Sequence, residues 1–238
     1  MNQNDKNTIS YETLPLTGEQ RKLFDQLVLL LAEKNRQVNL TAITDPKEIR
    51  EKHFADSLAV CLCKEADEKF RQGAKVLDLG TGGGFPALPV KIVYPDAEMT
   101  MLDATAKKLA VLDEMTGALG LENAVTVWGR AEELAHEAKY RASFDLVVSR
   151  AAMYLPALIE CAVPFLKEGG TLIAYKQGSN DNEIAASGHA LDELNARITR
   201  QVPYSVSGDL RRLIMVEKTG PTPDKYPRRP GKPTKNPL

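Results

Sequence analysis

No stretch of these 238 residues approaches the roughly 18 consecutive apolar residues that a membrane-spanning helix needs, so a transmembrane reading finds no support. The first seven residues, Met1 to Asn7, are polar and carry no secretory pattern, which predicts a cytoplasmic chain. Cysteine is scarce, three in all, and the number is odd. Cys61 and Cys63 fall two apart in a helical pattern, where their side chains diverge, so reduced thiols are expected rather than a disulfide framework or a metal site. Charge of one sign is missing too: the net is −1, with 43% apolar and 26% charged residues, the ordinary balance of a soluble globular domain. Length allows one α/β domain with terminal additions, and a monomer is expected.

That near-neutral total hides an asymmetry. Residues 219–238 hold Lys225, Arg228, Arg229, Lys232 and Lys235 against Asp224 alone, a charge of +4 that leaves −5 on the rest. The same segment contains six prolines, which cannot donate ladder hydrogen bonds, so it reads as an extended basic arm suited to a polyanion and ordered only if something docks it.

Periodicity divides the remainder. Residues 1–16 read as a flexible N-terminus and 17–70 as a helical extension. In the latter, Leu23, Leu27, Leu30 and Leu31 recur at helical spacing behind a Thr17/Gln20 capping box, and a second helix runs from Asp45-Pro46 to about Cys63. Between them 38–41 is a non-helical connector. Residues 71–218 alternate short apolar strands (75–79, 98–102, 124–128, 144–149, 171–176, 211–217) with helical stretches (86–94, 105–119, 130–138, 155–167, 182–196). Such alternation predicts a Rossmann-like α/β core, a mostly parallel sheet with helices on both faces, and an antiparallel hairpin at one edge.

The first strand of that core runs into Asp78-Leu79-Gly80-Thr81-Gly82-Gly83-Gly84-Phe85-Pro86. Glycines let a ligand approach the backbone, and the amides of the helix that follows favour a negative group. A dinucleotide site wants a third glycine where this chain has Phe85. Asp78 followed by Gly80, Gly82 and Gly84 instead favours S-adenosylmethionine, whose amino-acid end such a loop receives. Asp103 ends the next strand, where an acidic side chain can accept hydrogen bonds from both ribose hydroxyls. Ala131 and Glu132, after the third strand, can read an adenine edge, although acidic residues in a helix's first turn have a bland explanation as well. Arg150, after the fourth strand, should project toward the reaction centre, with a structural ion pair as the plainer alternative. His53 and Asp56 share a helix face, from which they either contact RNA or, the favoured reading, brace the extension against the cofactor loop.

The ordered set Asn39-Leu40-Thr41-Ala42-Ile43, His53-Phe54-Ala55-Asp56-Ser57, the glycine loop, Leu102-Asp103-Ala104, Ser149-Arg150-Ala151 and Ala174-Tyr175-Lys176 resembles the bacterial small-subunit rRNA guanine-N7 methyltransferase family, also called glucose-inhibited division protein B. The likeness runs from about residue 15 to the end, and the Lys225–Pro237 segment looks like the tail of Gram-positive members. The resemblance implies a class I S-adenosylmethionine-dependent methyltransferase acting on 16S rRNA of the small ribosomal subunit or its precursor. It implies cofactor contacts at Gly80, Phe85, Asp103, Ala131, Glu132 and Arg150. Gly83 departs from a frequent proline, and Ala104 and Tyr175 from commoner small or apolar residues. Candidate RNA contacts are Arg130, Lys176, Lys225, Arg228, Arg229, Lys232 and Lys235. Arg150 is assigned to orientation, with no general base expected. An exocyclic-amine enzyme would show Asn/Asp-Pro-Pro-aromatic where this chain has Ser149-Arg150-Ala151-Ala152, and a cytosine-C5 enzyme needs a thiolate in the site, whereas Cys161 lies within a helix. A small-molecule methyltransferase, or a catalytically silent RNA-binding or assembly factor on the same fold, are the alternatives.

Overall fold

From Lys75 onward the alternating pattern folds into the expected doubly wound sheet. The computed structural model describes residues 7–150 and 153–238. Residues 1–6 of the expected flexible N-terminus, together with Ala151 and Ala152, lie outside the described residues. Eight strands are found among the described residues: β1 (Thr8–Ile9), β2 (Lys75–Leu79), β3 (Glu98–Asp103), β4 (Ala124–Trp128), β5 (Phe144–Ser149), β6 (Leu166–Gln177), β7 (Ala196–Val206) and β8 (Asp209–Lys218). Their order is β1-β7-β8-β6-β5-β2-β3-β4. Strands β2 to β6 run parallel to one another, while β8 is antiparallel to both β6 and β7.

Period-two alternation sorts the strand residues between two apolar layers. Val76, Met99, Met101, Leu146 and Val148 face a layer with Phe24, Leu27 and Leu31 of α1 (Gly18–Lys34) and Leu109 and Leu112 of α5 (Ala106–Ala118). Leu77, Leu79, Leu102 and Val147 face the other, with Leu158 and Ile159 of α7 (Leu155–Ala162). Full burial of Phe24 contributes roughly 2–3 kcal/mol relative to exposure. The Thr17/Gln20 capping box opens α1 through reciprocal bonds of 3.2 and 2.9 Å.

The expected helix from residue 45 to 63 is interrupted. It comprises α2 (Pro46–Ile49), a π-helical turn (Arg50–Ala55) and a 3₁₀ segment (Leu58–Leu62), followed by α3 (Lys64–Arg71). The wide turn carries His53, and π-turns are frequent at functional positions.

Two further expectations are corrected. The stretch 182–196 forms α8 (Asp181–Ala186) and α9 (Gly188–Glu193), broken at Ser187, and gives way to β7, whose polar Thr199-Arg200-Gln201 and Pro203 disguise a strand. A two-residue turn, Ser207-Gly208, with φ of 51° and 83°, joins β7 to β8, as a tight hairpin requires. Within the described part of the N-terminus, β1 pairs with β7, and Glu51 accepts bonds from Ser10 Oγ and the Tyr11 amide, so residues 8–13 are held against the body.

The basic arm docks as well, and the protein itself does the docking. Arg228 donates through Nε and Nη2 to Glu160 of α7, at 2.8 and 2.6 Å, and Glu160 is fully buried. Arg141 donates to the carbonyls of Thr222, Pro223 and Tyr226. Short helix α10 (Lys232–Lys235) follows. Arg228→Ala would strand a buried carboxylate, so urea unfolding should show a loss of about 3 kcal/mol, the usual result of breaking a buried pair from one side. A loss under about 1 kcal/mol would mean that water reaches Glu160 in solution.

Candidate active site

The glycine turn sits between β2 and α4 (Ala87–Val93) at the carboxyl edge of the sheet, where open α/β folds place their ligands. Gly80, Gly82 and Gly84 have φ of 75°, 57° and 87°. At Gly84 a Cβ would also lie 2.6 Å from Leu88 Cδ1, so the residue is required by both backbone and packing. A Cβ at Gly83 would lie 2.8 Å from the Leu40 carbonyl oxygen: the 38–41 connector closes directly over the loop.

Two carboxylates hold the turn. Asp78 Oδ2 accepts from Thr81 Oγ1 (2.7 Å) and the Ala87 amide (3.1 Å), while its Oδ1 is buried with no partner among the described residues. Burial pushes this carboxyl up to about 7. Asp103, at the end of β3, accepts from the Gly82 amide at 2.9 Å and the Thr105 amide at 2.8 Å, joining the glycine loop to the neighbouring strand end. Beside it Trp128 ends β4, 68% exposed, with its indole N–H donating to the Ala104 carbonyl. Ala131 and Glu132 open α6 (Ala131–Leu134), a single turn that follows β4.

Phe85, Arg150, His53 and Asp56 come together above this turn. Phe85 is buried, with His53 stacked on it at 4.4 Å and the Arg150 guanidinium 5.2 Å from its ring centre. Arg150 donates to Asp56 Oδ2 (3.0 Å), to the Lys52 carbonyl (3.2 Å) and to His53 Nδ1 (3.1 Å). Arginine can only donate, so His53 keeps its proton on Nε2, 2.6 Å from Thr41 Oγ1. Burial, then the Arg150 charge, lowers the imidazole to about 3, so the ring is neutral. Asp56 also accepts from Tyr204 of β7 at 2.8 Å, and Arg211 of β8 lies 3.5 Å from it. His53 and Asp56 therefore brace the extension against the loop and against Arg150.

Next to Arg150 opens a cleft of about 440 Å³, lined by Tyr154, Tyr175, Lys176, Asn180 and Arg211 among others. Lys176 is only 8% exposed and donates to the Met153 carbonyl (2.5 Å) and Glu183 (2.6 Å), so its ammonium is already engaged and does not reach out as the phosphate contact the sequence offers. Tyr175, buried, donates to the Ser57 carbonyl at 2.6 Å. Two arm cations are likewise engaged, Arg228 with Glu160 and Lys225 with Glu193 at 2.9 Å. Arg130, Arg229 and Lys235 are exposed and Lys232 is half-buried.

Sequence reasoning passed over Thr41, Tyr204, Arg211 and Glu160. Two of these carried a signal: Thr41 lies within the Asn39–Ile43 mark of the resemblance, and Glu160 is the one charge in the otherwise apolar Leu155–Ala162 helix.

A family model described as rRNA small subunit methyltransferase G matches residues 20–209. The ribosomal RNA small subunit methyltransferase G of Lactococcus lactis subsp. lactis (strain IL1403) is 39% identical over 226 residues, 94% of each chain. Its namesake from Moorella thermoacetica is 41% identical over 227 residues, 94% of this chain and 93% of that one. Among solved structures, a putative O-methyltransferase from Klebsiella pneumoniae superposes with a TM-score of 0.56 at 14% identity, covering 88% of this chain and 93% of that one, a likeness of fold.

The two shifted groups make opposite contributions to stability between pH 5 and 6.5. Unfolded His53 takes up a proton there and the folded ring does not, so its contribution falls as pH falls. Folded Asp78 keeps a proton that the unfolded chain has released, so its contribution falls as pH rises. In the parent the two slopes largely cancel. His53→Gln should therefore lose stability from pH 5 to 6.5 in urea titrations, and Asp78→Asn should gain it; a flat profile in both variants would place these groups in water.

Proposed function

This chain belongs to the rRNA small subunit methyltransferase G family, and from that premise we propose that it transfers the methyl group of S-adenosylmethionine to N7 of a guanine in 16S rRNA. The observation that carries the reading is a glycine loop tied to Asp103, with Arg150 set over Phe85 of that loop while also lining the cleft. In this reading Arg150 is the wall shared by the cofactor pocket and the acceptor pocket, and its position between loop and cleft supports that assignment.

The donor set fits the cofactor. Asp103 keeps lone pairs for the two ribose hydroxyls, the first-turn amides and positive-φ glycines suit an amino-acid carboxylate, and the orphaned Asp78 Oδ1 lacks the donor that an ammonium would supply. Gly80, Phe85, Ala131 and Glu132 complete the proposed pocket. S-adenosylmethionine supplies a sulfonium-activated methyl group.

The protein's part is orientation. Guanine N7 presents a lone pair and carries no proton, so an in-line displacement needs no base, and placement with exclusion of water provides the acceleration. Arg150 suits that task because it is fixed at three points: Asp56, His53 and the Lys52 carbonyl. Its paired guanidinium orients the base through O6 or a neighbouring phosphate. Phe85 and His53 form the dry wall behind it. Arg130, Arg229, Lys232 and Lys235 remain as phosphate contacts, few in number, which accords with a chain of net charge −1.

With labelled S-adenosylmethionine and rRNA from cells lacking the activity, one guanine should gain a methyl at N7, read by mass mapping of nucleosides. Label in a metabolite alone would move the assignment to a small-molecule enzyme, and no transfer at all to a binding factor. Asp103→Ala should weaken cofactor binding about 10- to 100-fold in calorimetry, the size of lost bonds to a charged acceptor. Unchanged affinity would remove Asp103 from the pocket.

A further inference from the structure

The C-terminal arm meets the cofactor side of the molecule at one small element, α6. This helix has four residues, too few to hold its shape from its own hydrogen bonds. Its first turn carries Ala131 and Glu132, the proposed adenine-end contacts. The Gly231 amide of the arm donates to Glu132 Oε1 at 2.9 Å. Just past the other end, His136 Nε2 lies 2.8 Å from the Pro227 carbonyl oxygen. Arg141 spans the two with a single nitrogen, donating through Nη1 to the Ala135 carbonyl (3.0 Å) and the Tyr226 carbonyl (2.9 Å). The arm is itself pinned by Arg228 on buried Glu160, so it is a fixed abutment rather than a loose strand.

We infer that the arm positions the adenosine end of the cofactor pocket, with Gly231, Pro227 and Arg141 acting through α6; the inference rests on the methyltransferase reading above. Leu134 and Ala135 seat one side of α6 in the core, and the arm adds the restraint on Glu132 itself and on the segment just past the helix end. Anchoring and tethering are separate along the sequence. Arg228 holds the arm to α7, whereas Gly231 holds Glu132. Removing residues 231–238 therefore releases the first turn of α6 while leaving the Arg228–Glu160 pair in place.

The test measures cofactor affinity without RNA. The chain shortened to residue 230 should bind S-adenosylmethionine about tenfold more weakly, the worth of one hydrogen bond to a charged group. Its Michaelis constant for the cofactor should rise while turnover at saturating cofactor and rRNA changes less. The double variant Lys232→Gln/Lys235→Gln removes the same charges and keeps the Gly231 amide, so its cofactor affinity should equal the parent's. Coupling between two sites is reciprocal, so in the intact chain saturating cofactor should slow hydrogen exchange at the Gly231 amide. That measurement needs no variant and survives a shortened chain that fails to fold. Equal cofactor affinity of the shortened and parent chains, or exchange at Gly231 indifferent to cofactor, overturns the inference. An equal loss of cofactor affinity in the charge variant also overturns it, because the arm would then act by field alone. A full-length chain that binds no S-adenosylmethionine sinks the methyltransferase reading itself, a result distinct from these.

Discussion

One buried carboxylate organises the upper face of this protein. Asp56 comes from the N-terminal extension and receives Arg150 from the end of β5 and Tyr204 from β7, with Arg211 of β8 3.5 Å away. A buried charge is costly unless it is paired and hydrogen-bonded. The carboxylate therefore requires these partners to converge, and in doing so it joins three strand ends to a helix that precedes the core. The cleft wall, the fixed pose of Arg150 and the seat of His53 on Phe85 all follow from that convergence.

The same pairing suits the chemistry proposed for the site. Alkylation at N7 moves positive charge from the cofactor's sulfur to the base, and a bare cation at the acceptor would oppose it. Arg150 is compensated by Asp56 and His53 is neutral, so the wall presents direction with little net charge. On the proposed reading, orientation and electrostatic restraint are thus obtained from one pair, with no titrating base called for in the cleft.

Much of this was legible in the residues. The capping box at Thr17 and Gln20, the parallel strands from β2 to β5 and the glycine turn follow from local spacing, since each is set by neighbours in sequence. The Asp103 link to Gly82 was half legible: the strand-end position was evident, but the partner required knowing that β2 and β3 lie side by side. Strand β7 was hidden because Pro203 and the run Thr199-Arg200-Gln201 imitate a loop, and only pairing with β8 on one side and β1 on the other rescues it. The partners of Lys176 and Arg228 were hidden for one reason. A basic residue in sequence looks free, and the carboxylates that claim these two, Glu183 and Glu160, were not recognised as partners. For Glu160 the clue was present, a lone charge in an apolar helix, and its partner 68 residues away could come only from the fold.

Trp128 gives the molecule an optical property. It is the only tryptophan in the chain, it lies mostly in water, and its indole leans on the Ala104 carbonyl next to Asp103. Any ligand settling on that strand end changes the polarity around a single fluorophore, and no second indole dilutes the signal. The protein thus carries its own emission probe at the rim of the pocket, and occupancy can be followed in the unlabelled chain.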